Sequence, residues 1–277
     1  MRFITSKVLA ALVAVGSAGL TAGATQAAPC GSTGAGFEAW VADFRKTAAQ
    51  AGISQRAIAG GLDGVTYDQR IISLDRGQRS FKLSFEQFYA RRVSPSLISR
   101  AKAKMSQHAG LLSSIEKRYG VPPQIIVSIW GLETNFGSDG HGGRSIPRSL
   151  ATLAYDCRRS AFFTNELMNA LKIIDRGDMT PSQLVGGWAG EIGPMQFLPS
   201  SYINYAVDFD GDGRRNLMSS VPDMLASTAN FLKGKGGWRA GQGWGPGTAN
   251  YNALREWNKA EVYVRTISVM AERLSGR

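Results

Sequence analysis

The sequence is poor in metal-binding side chains and in long apolar runs. It contains two cysteines and two histidines, and their scattered positions (Cys30, Cys157, His108 and His141) give no zinc pattern. Beyond the N-terminal segment no stretch is apolar enough to span a bilayer, which needs roughly 20 apolar residues. Internal repeats are missing and strand patterns are few. The sequence therefore argues against a zinc site, a membrane span in the mature chain and a repeat architecture.

Residues 1–28 have the composition of an export signal. Arg2 and Lys7 precede an apolar run at 8–20, and small residues follow up to Ala27. The run is too short and too rich in Ala and Gly to anchor the protein in a bilayer. We therefore expect an exported, periplasmic protein without a stable membrane anchor.

Acidic residues are outnumbered by basic ones. The chain has 32 Lys and Arg against 21 Asp and Glu, and removing Arg2 and Lys7 with a signal lowers the formal charge from +11 to +9. A basic balance favours an anionic partner such as nucleic acid, a membrane surface or an acidic polymer. For an exported protein nucleic acid is the least expected of these, and a bacterial wall bearing carboxylates fits better. A solvated basic surface without a partner is the plain alternative.

Cys30 and Cys157 are the cysteines left once the signal is removed. An even pair in an oxidising compartment predicts one disulfide, which ties the N-terminus of the mature chain to its central part. The alternative is two free thiols, which export disfavours.

The mature chain of about 250 residues is long enough for a sizeable core in one or two lobes. We divide it into an N-terminal helical domain at 29–120 and a second part at 121–277. Apolar side chains recur at helical spacing throughout the first part. The pair Ser94 and Pro95 predicts the start of one long helix that ends at Tyr119.

The second part has a glycine-rich interruption among its helices. Helices are expected at 181–184 and from 221 to 231, whereas 234–250 is too rich in glycine to be regular. Trp238 and Trp244 in this loop either stack on sugar rings or plug the loop onto the core.

A further helix is predicted over 121–137, because Pro122 and Pro123 suit its first turn and Gly137 suits its end. Its apolar side chains share one face with Glu133. A carboxyl among apolar groups is costly to ionise, so we expect a raised pKa, as a general acid requires. The alternative is an inert, hydrogen-bonded Glu at the rim of the apolar stripe.

The segment 206–223 is predicted to contain an EF-hand-like calcium loop, because Asp208, Asp210 and Asp212 stand at loop positions 1, 3 and 5. Ser219 stands at the twelfth loop position, where a standard loop has Glu, and Asp223 is the nearest carboxylate that closes the shell. The alternative is an Asx-rich turn whose carboxylates cap local backbone groups. Any calcium is expected to be structural, with no cofactor required for chemistry. The expected ligands are Asp208, Asp210, Asp212, Arg214 and Asp223.

Three longer motifs carry a family resemblance. They are Ile-Trp-Gly-Leu-Glu-Thr-Asn-Phe-Gly around Glu133, Ala-Thr-Leu-Ala-Tyr-Asp before Cys157, and Trp-Ala-Gly-Glu-Ile-Gly-Pro-Met-Gln-Phe-Leu-Pro-Ser-Ser-Tyr around Gln196. In this order, and with the calcium loop, they resemble the B-type lytic murein transglycosylases of the bacterial envelope from about Phe37 onward. The resemblance implies a mainly α fold, with a lysozyme-like helical core, an N-terminal helical domain and a small insertion that bears the calcium loop.

The resemblance also implies cleavage of the β-1,4 bond between N-acetylmuramic acid and N-acetylglucosamine in peptidoglycan glycan strands. The family's catalytic Glu falls on Glu133. By that analogy Glu133 protonates the glycosidic oxygen and then accepts the proton of the muramic acid 6-hydroxyl as that oxygen attacks C1. The product is a 1,6-anhydro sugar and no water is consumed. One carboxylate suffices, unlike the pair of ordinary glycosidases.

Substrate-binding positions follow from the same resemblance. Gly187 departs from the family, because Ser is common there, and Glu191 stands where a small residue can stand. Tyr is found in family members at several groove positions, including those of Phe162 and Phe231 here. The expected substrate residues are Gln196, Phe197, Phe162, Phe231, Asn135, Tyr202, Trp257, Tyr263 and Glu191.

Three roles are possible for Glu191, and they imply different reactions. It raises the pKa of Glu133 further, or activates water as a general base in a hydrolytic muramidase, or pairs with an Arg in a structural role. A non-catalytic peptidoglycan-binding protein and a calcium-regulated adhesion module are the alternatives outside enzymes. We predict a lytic transglycosylase that acts as a monomer.

Overall fold

The computed structural model describes residues 29–77, 83–140 and 142–276. The predicted signal at 1–28 lies outside these ranges. The described chain is mainly helical, as predicted, with one antiparallel pair of two-residue strands. The helices are α1 Phe37–Gln50, α2 Gln55–Leu62, α3 Gln69–Arg76, α4 Phe85–Arg92, α5 Pro95–Gln107, α6 Ala109–Tyr119, α7 Pro123–Thr134, α8 Ile146–Tyr155, α9 Ser160–Asp175, α10 Pro199–Tyr205, α11 Val221–Gly234, α12 Ala249–Trp257 and α13 Glu261–Leu274, and the strands are β1 Arg144–Ser145 and β2 Val185–Gly186.

Several helices begin at a side chain that caps the free backbone N–H groups of the first turn. The Oγ of Ser94 accepts a hydrogen bond from the backbone N–H of Leu97, and Pro95 occupies the first turn of α5. Ser220 and Thr248 cap α11 and α12 in the same way. The start predicted for α5 is therefore confirmed.

The long helix predicted from Pro95 to Tyr119 is two helices. His108 adopts φ −112° and ψ 23° between α5 and α6, which interrupts the helical path. Its ring lies 6.0 Å from that of Trp130 on α7. The break allows α5 to pack on α7 while α6 packs on α11.

Two other predictions of helix boundaries are wrong. Residues 181–184 form a turn, closed by hydrogen bonds from the N–H groups of Gln183 and Leu184 to the carbonyl of Thr180, and this turn leads into β2. The helix predicted over 121–137 ends earlier, because Asn135 adopts the left-handed φ of 53°.

Helix α7 lies inside the fold. It packs against α5 and α13 and also contacts α6 and α11, while α8 and α9 form a second tight pair that α1, α2 and α3 cover. The buried apolar side chains form one continuous core from Phe37 to Leu274. This core crosses residue 120, and the division into 29–120 and 121–277 stays a prediction. None of the described helices is long and apolar enough to cross a membrane.

The predicted disulfide between Cys30 and Cys157 is present. It joins the segment before α1 to the turn between α8 and α9, where Gly31 also bridges to Asp156. The start of the described chain is thereby tied to the α8–α9 pair.

The two tryptophans of the glycine-rich loop anchor it to the core. Trp238 and Trp244 are only 6% and 8% exposed. The indole of Trp238 donates to the carbonyl of Gly120 over 2.8 Å, and that of Trp244 to the carbonyl of Ser268 over 3.3 Å. The interpretation that these side chains anchor the loop is confirmed, and neither offers a face for sugar stacking.

Candidate active site

Helix α7 carries Glu133 into a pocket. From Ile125 to Thr134 every residue except Glu133 is buried, and Glu133 is the only charged side chain of the helix. A helix that is apolar on all sides belongs inside a core, so its one carboxyl is exposed only where the packing leaves a gap. Thr134 donates to the carbonyl of Pro194 over 2.7 Å, which fixes the end of α7 to the loop that follows β2.

Groups from three other helices surround the Glu133 carboxyl. Its Oε1 accepts a hydrogen bond of 2.9 Å from Nε1 of Trp257, the last residue of α12. The hydroxyl of Tyr263 on α13 faces it, and burial together with the charge of Glu133 raises the pKa of Tyr263, although no hydrogen bond of normal geometry joins the two groups. Arg92 at the end of α4 acts on the carboxyl electrostatically and donates to the carbonyl of Leu132.

Loss of hydration raises the pKa of Glu133 above its ordinary value. The hydrogen bond from Trp257, the hydroxyl of Tyr263 and the charge of Arg92 oppose this effect, while the nearby Glu191 adds to it. A raised pKa extends to higher pH the range in which the carboxyl keeps a proton that it can deliver to a leaving group. Glu133 therefore has the environment of a general acid.

Three aromatic rings form one wall of the pocket. Phe197, Phe231 and Trp257 meet edge to face, with ring centroids 5.1 to 6.1 Å apart. Phe197 and Phe231 are 2% and 4% exposed, so they form the back of the wall. Trp257 is the most accessible of the three rings. The Nζ of Lys235 covers the ring of Phe231 at 5.3 Å from its centre.

A tight loop after β2 places Gln196 at the pocket. Ile192 bridges to both Gly186 and Phe197, so the chain doubles back on itself. Gln196 adopts a φ of 54°, and its Nε2 donates to the carbonyl of Gly193 over 2.9 Å. A left-handed backbone at a residue other than glycine is uncommon and concentrates at functional sites. The local fold thus holds this amide in one orientation.

The pocket has a volume of about 320 Å³. Tyr263 does not line it but lies behind the Glu133 carboxyl, 5% exposed. The pocket is lined by Glu133, Glu191, Gln196, Phe197, Leu198, Ser201, Phe231, Lys235, Glu256, Trp257 and Asn258. The sequence analysis did not assign Leu198, Ser201, Lys235, Glu256 or Asn258 to the site, and the packing of α11 on α12 brings the last three to the pocket.

Three residues predicted to bind substrate lie elsewhere. The interpretation of Tyr202 as a substrate contact is wrong, since it is fully buried and donates its hydroxyl hydrogen to the carbonyl of Arg215. Asn135 faces a separate pocket and donates to Asp139 over 3.1 Å. Phe162 is 44% exposed at the start of α9 and is not part of the lining.

Glu191 lines the same pocket as Glu133. Its Oε2 accepts the backbone N–H of Ala189 over 2.9 Å. Burial raises the pKa of Glu191, and the charge of Arg159 lowers it. Among the described residues the predicted ion pair with an arginine is absent, because Arg159 binds Asp75 instead.

The predicted calcium loop brings three carboxylates together. Asp208, Asp210 and Asp212 each offer an oxygen, and these oxygens lie within 4.8 Å of one another. Hard oxygen donors gathered in this way suit Ca²⁺. The carboxylates also accept local hydrogen bonds, as in an Asx turn: Asp208 accepts the N–H groups of Gly211 and Gly213 over 2.7 and 2.8 Å.

Asp223 stands apart from this cluster. Its Oδ1 accepts the N–H of Phe209 over 2.7 Å and its Oδ2 that of Asn216 over 2.8 Å, and the side chain is fully buried. The expectation that Asp223 closes a calcium shell stays a prediction. Both oxygens brace the backbone on the two sides of the loop.

A buried helix that presents one carboxyl to a pocket walled by aromatic rings matches the lysozyme-like core that the motifs imply. Residues 36–248 match the family model for the transglycosylase SLT domain. This match covers most of the chain, so the chain belongs to the transglycosylase SLT domain family, and the family resemblance read from the motifs is confirmed.

Relatives in two bacteria agree with this assignment. The chain is 39% identical over 145 residues to the membrane-bound lytic murein transglycosylase B of Escherichia coli (strain K12), a match that covers 52% of this chain and 40% of that protein. The crystal structure of SltB3 from Pseudomonas aeruginosa in complex with NAG-anhNAM-pentapeptide has a TM-score of 0.81 and 31% identity, covering 87% of this chain and 80% of that one. Soluble lytic transglycosylase SltB1 of the same organism has a TM-score of 0.79 and 26% identity, covering 85% and 98%.

Proposed function

We propose that the protein is a lytic transglycosylase that cleaves the β-1,4 bond between N-acetylmuramic acid and N-acetylglucosamine in peptidoglycan, with Glu133 as its single acid/base. The observation that carries the proposal is the environment of Glu133, a carboxyl of raised pKa held by Trp257 in an aromatic-walled pocket. Family membership supports the substrate class, because SltB3 has been crystallised with NAG-anhNAM-pentapeptide and with NAG-NAM-pentapeptide.

In the proposed reaction one carboxyl makes two proton transfers. Neutral Glu133 protonates the glycosidic oxygen, and the bond from that oxygen to C1 breaks. The resulting carboxylate then accepts the proton of the 6-hydroxyl as that oxygen forms a bond to C1, which returns Glu133 to its neutral form. The product is a 1,6-anhydro sugar, and neither water nor a second enzymic carboxylate enters the balance.

The rest of the pocket supplies binding and orientation. Trp257 offers apolar area to a sugar ring, while the fixed amide of Gln196 offers both a donor and an acceptor to its polar substituents. The formal charge of +9 that is left when Arg2 and Lys7 are removed from the total of +11 favours a polymer that bears carboxylates.

The test is mass spectrometry of the soluble fragments released from purified peptidoglycan by wild-type protein and by Glu133→Gln. Anhydromuropeptides from the wild type and none from Glu133→Gln are expected. Glu116→Gln is the matched control, because Glu116 is exposed on α6, and it should release the same fragments as the wild type.

Two outcomes overturn the proposal. Products one water heavier make the protein a hydrolytic muramidase in which Glu191 activates the water. No release from well-folded wild type that still binds the wall makes it a non-catalytic peptidoglycan-binding protein.

The proposal includes action in the periplasm. A disulfide between Cys30 and Cys157 suits an oxidising compartment, and peptidoglycan lies outside the cytoplasm. Fractionation of cells that produce the full chain tests this, with the protein expected in the periplasmic fraction as a monomer and shorter than the full chain by the segment 1–28.

We also propose that the Asp-rich loop binds structural Ca²⁺. The carboxylates of Asp208, Asp210 and Asp212 provide the convergent oxygens, and the main-chain carbonyl of Arg214 stands at the loop position that contributes a backbone ligand. Such an ion supplies charge balance and rigidity to the loop and takes no part in bond cleavage.

A further inference from the structure

Gly187 and Glu191 are packed against each other beside the pocket. A Cβ atom on residue 187 would lie 2.2 Å from Oε2 of Glu191 and 3.1 Å from its Cβ, and the first of these distances is sterically forbidden. The backbone N–H of Gly187 also donates to the carbonyl of Glu191 over 2.9 Å, so the two residues are fixed face to face. Only glycine at 187 leaves room for the Glu191 carboxyl where it stands.

The Glu191 carboxyl is anchored by one oxygen. Oε2 accepts the N–H of Ala189, the backbone N–H of Glu191 itself also lies close to the carboxyl, and no hydrogen bond from another residue of the described chain reaches Oε1. The residue lines the pocket that contains Glu133. A carboxyl held in place by one oxygen is a preformed acceptor for a polar hydrogen at the other.

Nearby charges do not neutralise Glu191. Arg159 acts on it through space but is engaged by Asp75, and Glu133 is a second acid in the same pocket. Burial also makes the charged form of Glu191 costly. A ligand that donates a hydrogen bond to the carboxyl relieves part of that cost.

We propose that Glu191 contacts the substrate, with its Oε1 accepting a hydrogen bond from an N–H or O–H of the sugar bound beside Glu133, and that Gly187 is required because its missing side chain makes the space for this carboxyl. The inference rests on the proposed function for the identity of the sugar, an N-acetylated amino sugar. It adds an acidic group to the binding site that the single acid/base reaction does not itself need.

The first test measures binding without turnover. Oligomers of N-acetylglucosamine are titrated into Glu133→Gln protein, and Glu191→Ala is then introduced in that background. Glu191→Ala should increase Kd by about 10- to 100-fold, because that is the usual effect of losing a hydrogen bond to a charged group. Gly187→Ser should also weaken binding, because the new side chain displaces the carboxyl. Glu116→Ala, on the exposed face of α6, should leave Kd unchanged.

The second test combines the two substitutions. Gly187→Ser combined with Glu191→Ala should bind no more weakly than Glu191→Ala alone, because the serine then has no carboxyl to displace. A purely structural role for Glu191 predicts the reverse, with the two losses accumulating. Should Glu191→Ala fail to fold by circular dichroism, Glu191→Gln replaces it, since glutamine keeps the shape and the bond from Ala189 but loses the charge.

Three results overturn the inference: an unchanged Kd in Glu191→Ala, full binding in Gly187→Ser alone, or a further loss of affinity when Gly187→Ser is added to Glu191→Ala. In otherwise wild-type protein, a change of product from hydrolysed to anhydro ends in Glu191→Ala would instead make Glu191 a base for water. Failure of the proposed function is distinguishable, because the titration measures binding and does not depend on which product the wild type forms.

Discussion

The indole Nε1 of Trp257 donates a hydrogen bond of 2.9 Å to Oε1 of Glu133 across 124 residues of sequence. This bond stabilises the ionised carboxyl and lowers the pKa of Glu133. Burial has the opposite and larger effect, so the net pKa is raised. Trp257 therefore takes part in setting the pH above which Glu133 no longer carries the proton that a general acid needs.

Trp257→Phe should move the alkaline limb of the kcat profile to higher pH. Loss of a hydrogen bond to a charged group, worth about 1.5 kcal/mol or more, raises the pKa of Glu133 by about one unit, because the neutral form gains relative to the charged one. The measurement is kcat for release of anhydro fragments against pH. Trp238→Phe is the control, since its indole donates to the carbonyl of Gly120 away from the pocket. A downward shift in Trp257→Phe would contradict the assignment.

Glu133→Gln should be more stable than the wild type at neutral pH. Because the pKa of Glu133 is raised in the folded protein, the wild type loses stability as pH rises from the ordinary value of 4.5 through the folded pKa. Glutamine does not ionise. The Tm of the variant relative to the wild type should therefore increase as pH rises across this window and stay constant at higher pH. Thermal unfolding at a series of pH values measures this.

Glu261→Gln is the control of opposite sign for that series. Hydrogen bonds from Tyr251 and Arg255 lower the pKa of Glu261, so the wild type gains stability as pH rises and this variant should fall behind it. If Glu133→Gln and Glu261→Gln trend in the same direction, the burial argument for Glu133 fails.

Asp75→Ala should destabilise the fold. The buried carboxylate of Asp75 on α3 binds both Arg158 and Arg159 in the turn before α9. The two arginines are partly exposed, so the expected cost is on the order of 2 kcal/mol, between the values for exposed and buried pairs. Urea unfolding measures it. Asp63→Ala, which removes the exposed partner of Arg45, should cost less than about 1 kcal/mol, and equal losses would refute the role of burial.

Calcium should raise the Tm of the protein, and a chelator should lower it again. Binding to the folded state alone adds about 2.7 kcal/mol when free Ca²⁺ is 100 times Kd. Asp212→Asn should abolish most of the response, because it removes one of three convergent carboxylates. Asp43→Asn, which changes a half-buried carboxylate on α1 outside this loop, should respond like the wild type. An unchanged wild-type Tm across a Ca²⁺ titration would rule out the site.

Local patterns predicted local structure well. Ser94 and Pro95 mark the start of α5 because capping and a proline in the first turn act within one turn of helix. The prediction failed at His108, where packing of α5 on α7 and of α6 on α11 divides a pattern that reads as one helix. The motif around Gln196 indicated a ligand-binding loop, whereas the burial of Tyr202 in the same motif was not readable from it.

The sequence by itself determined the mainly helical class, the position of one carboxyl on an apolar helix, the pairing of Cys30 with Cys157 and the family, because each depends on residue types and spacing within short segments or on the only available partner. Tertiary structure alone decided that Trp257 reaches Glu133, that Asp223 braces its loop, and that the Glu191 carboxyl fills the space beside Gly187. Those contacts depend on how helices and loops distant in the chain approach one another. Long-range packing of the helices sets that approach, and no periodicity in the chain encodes it.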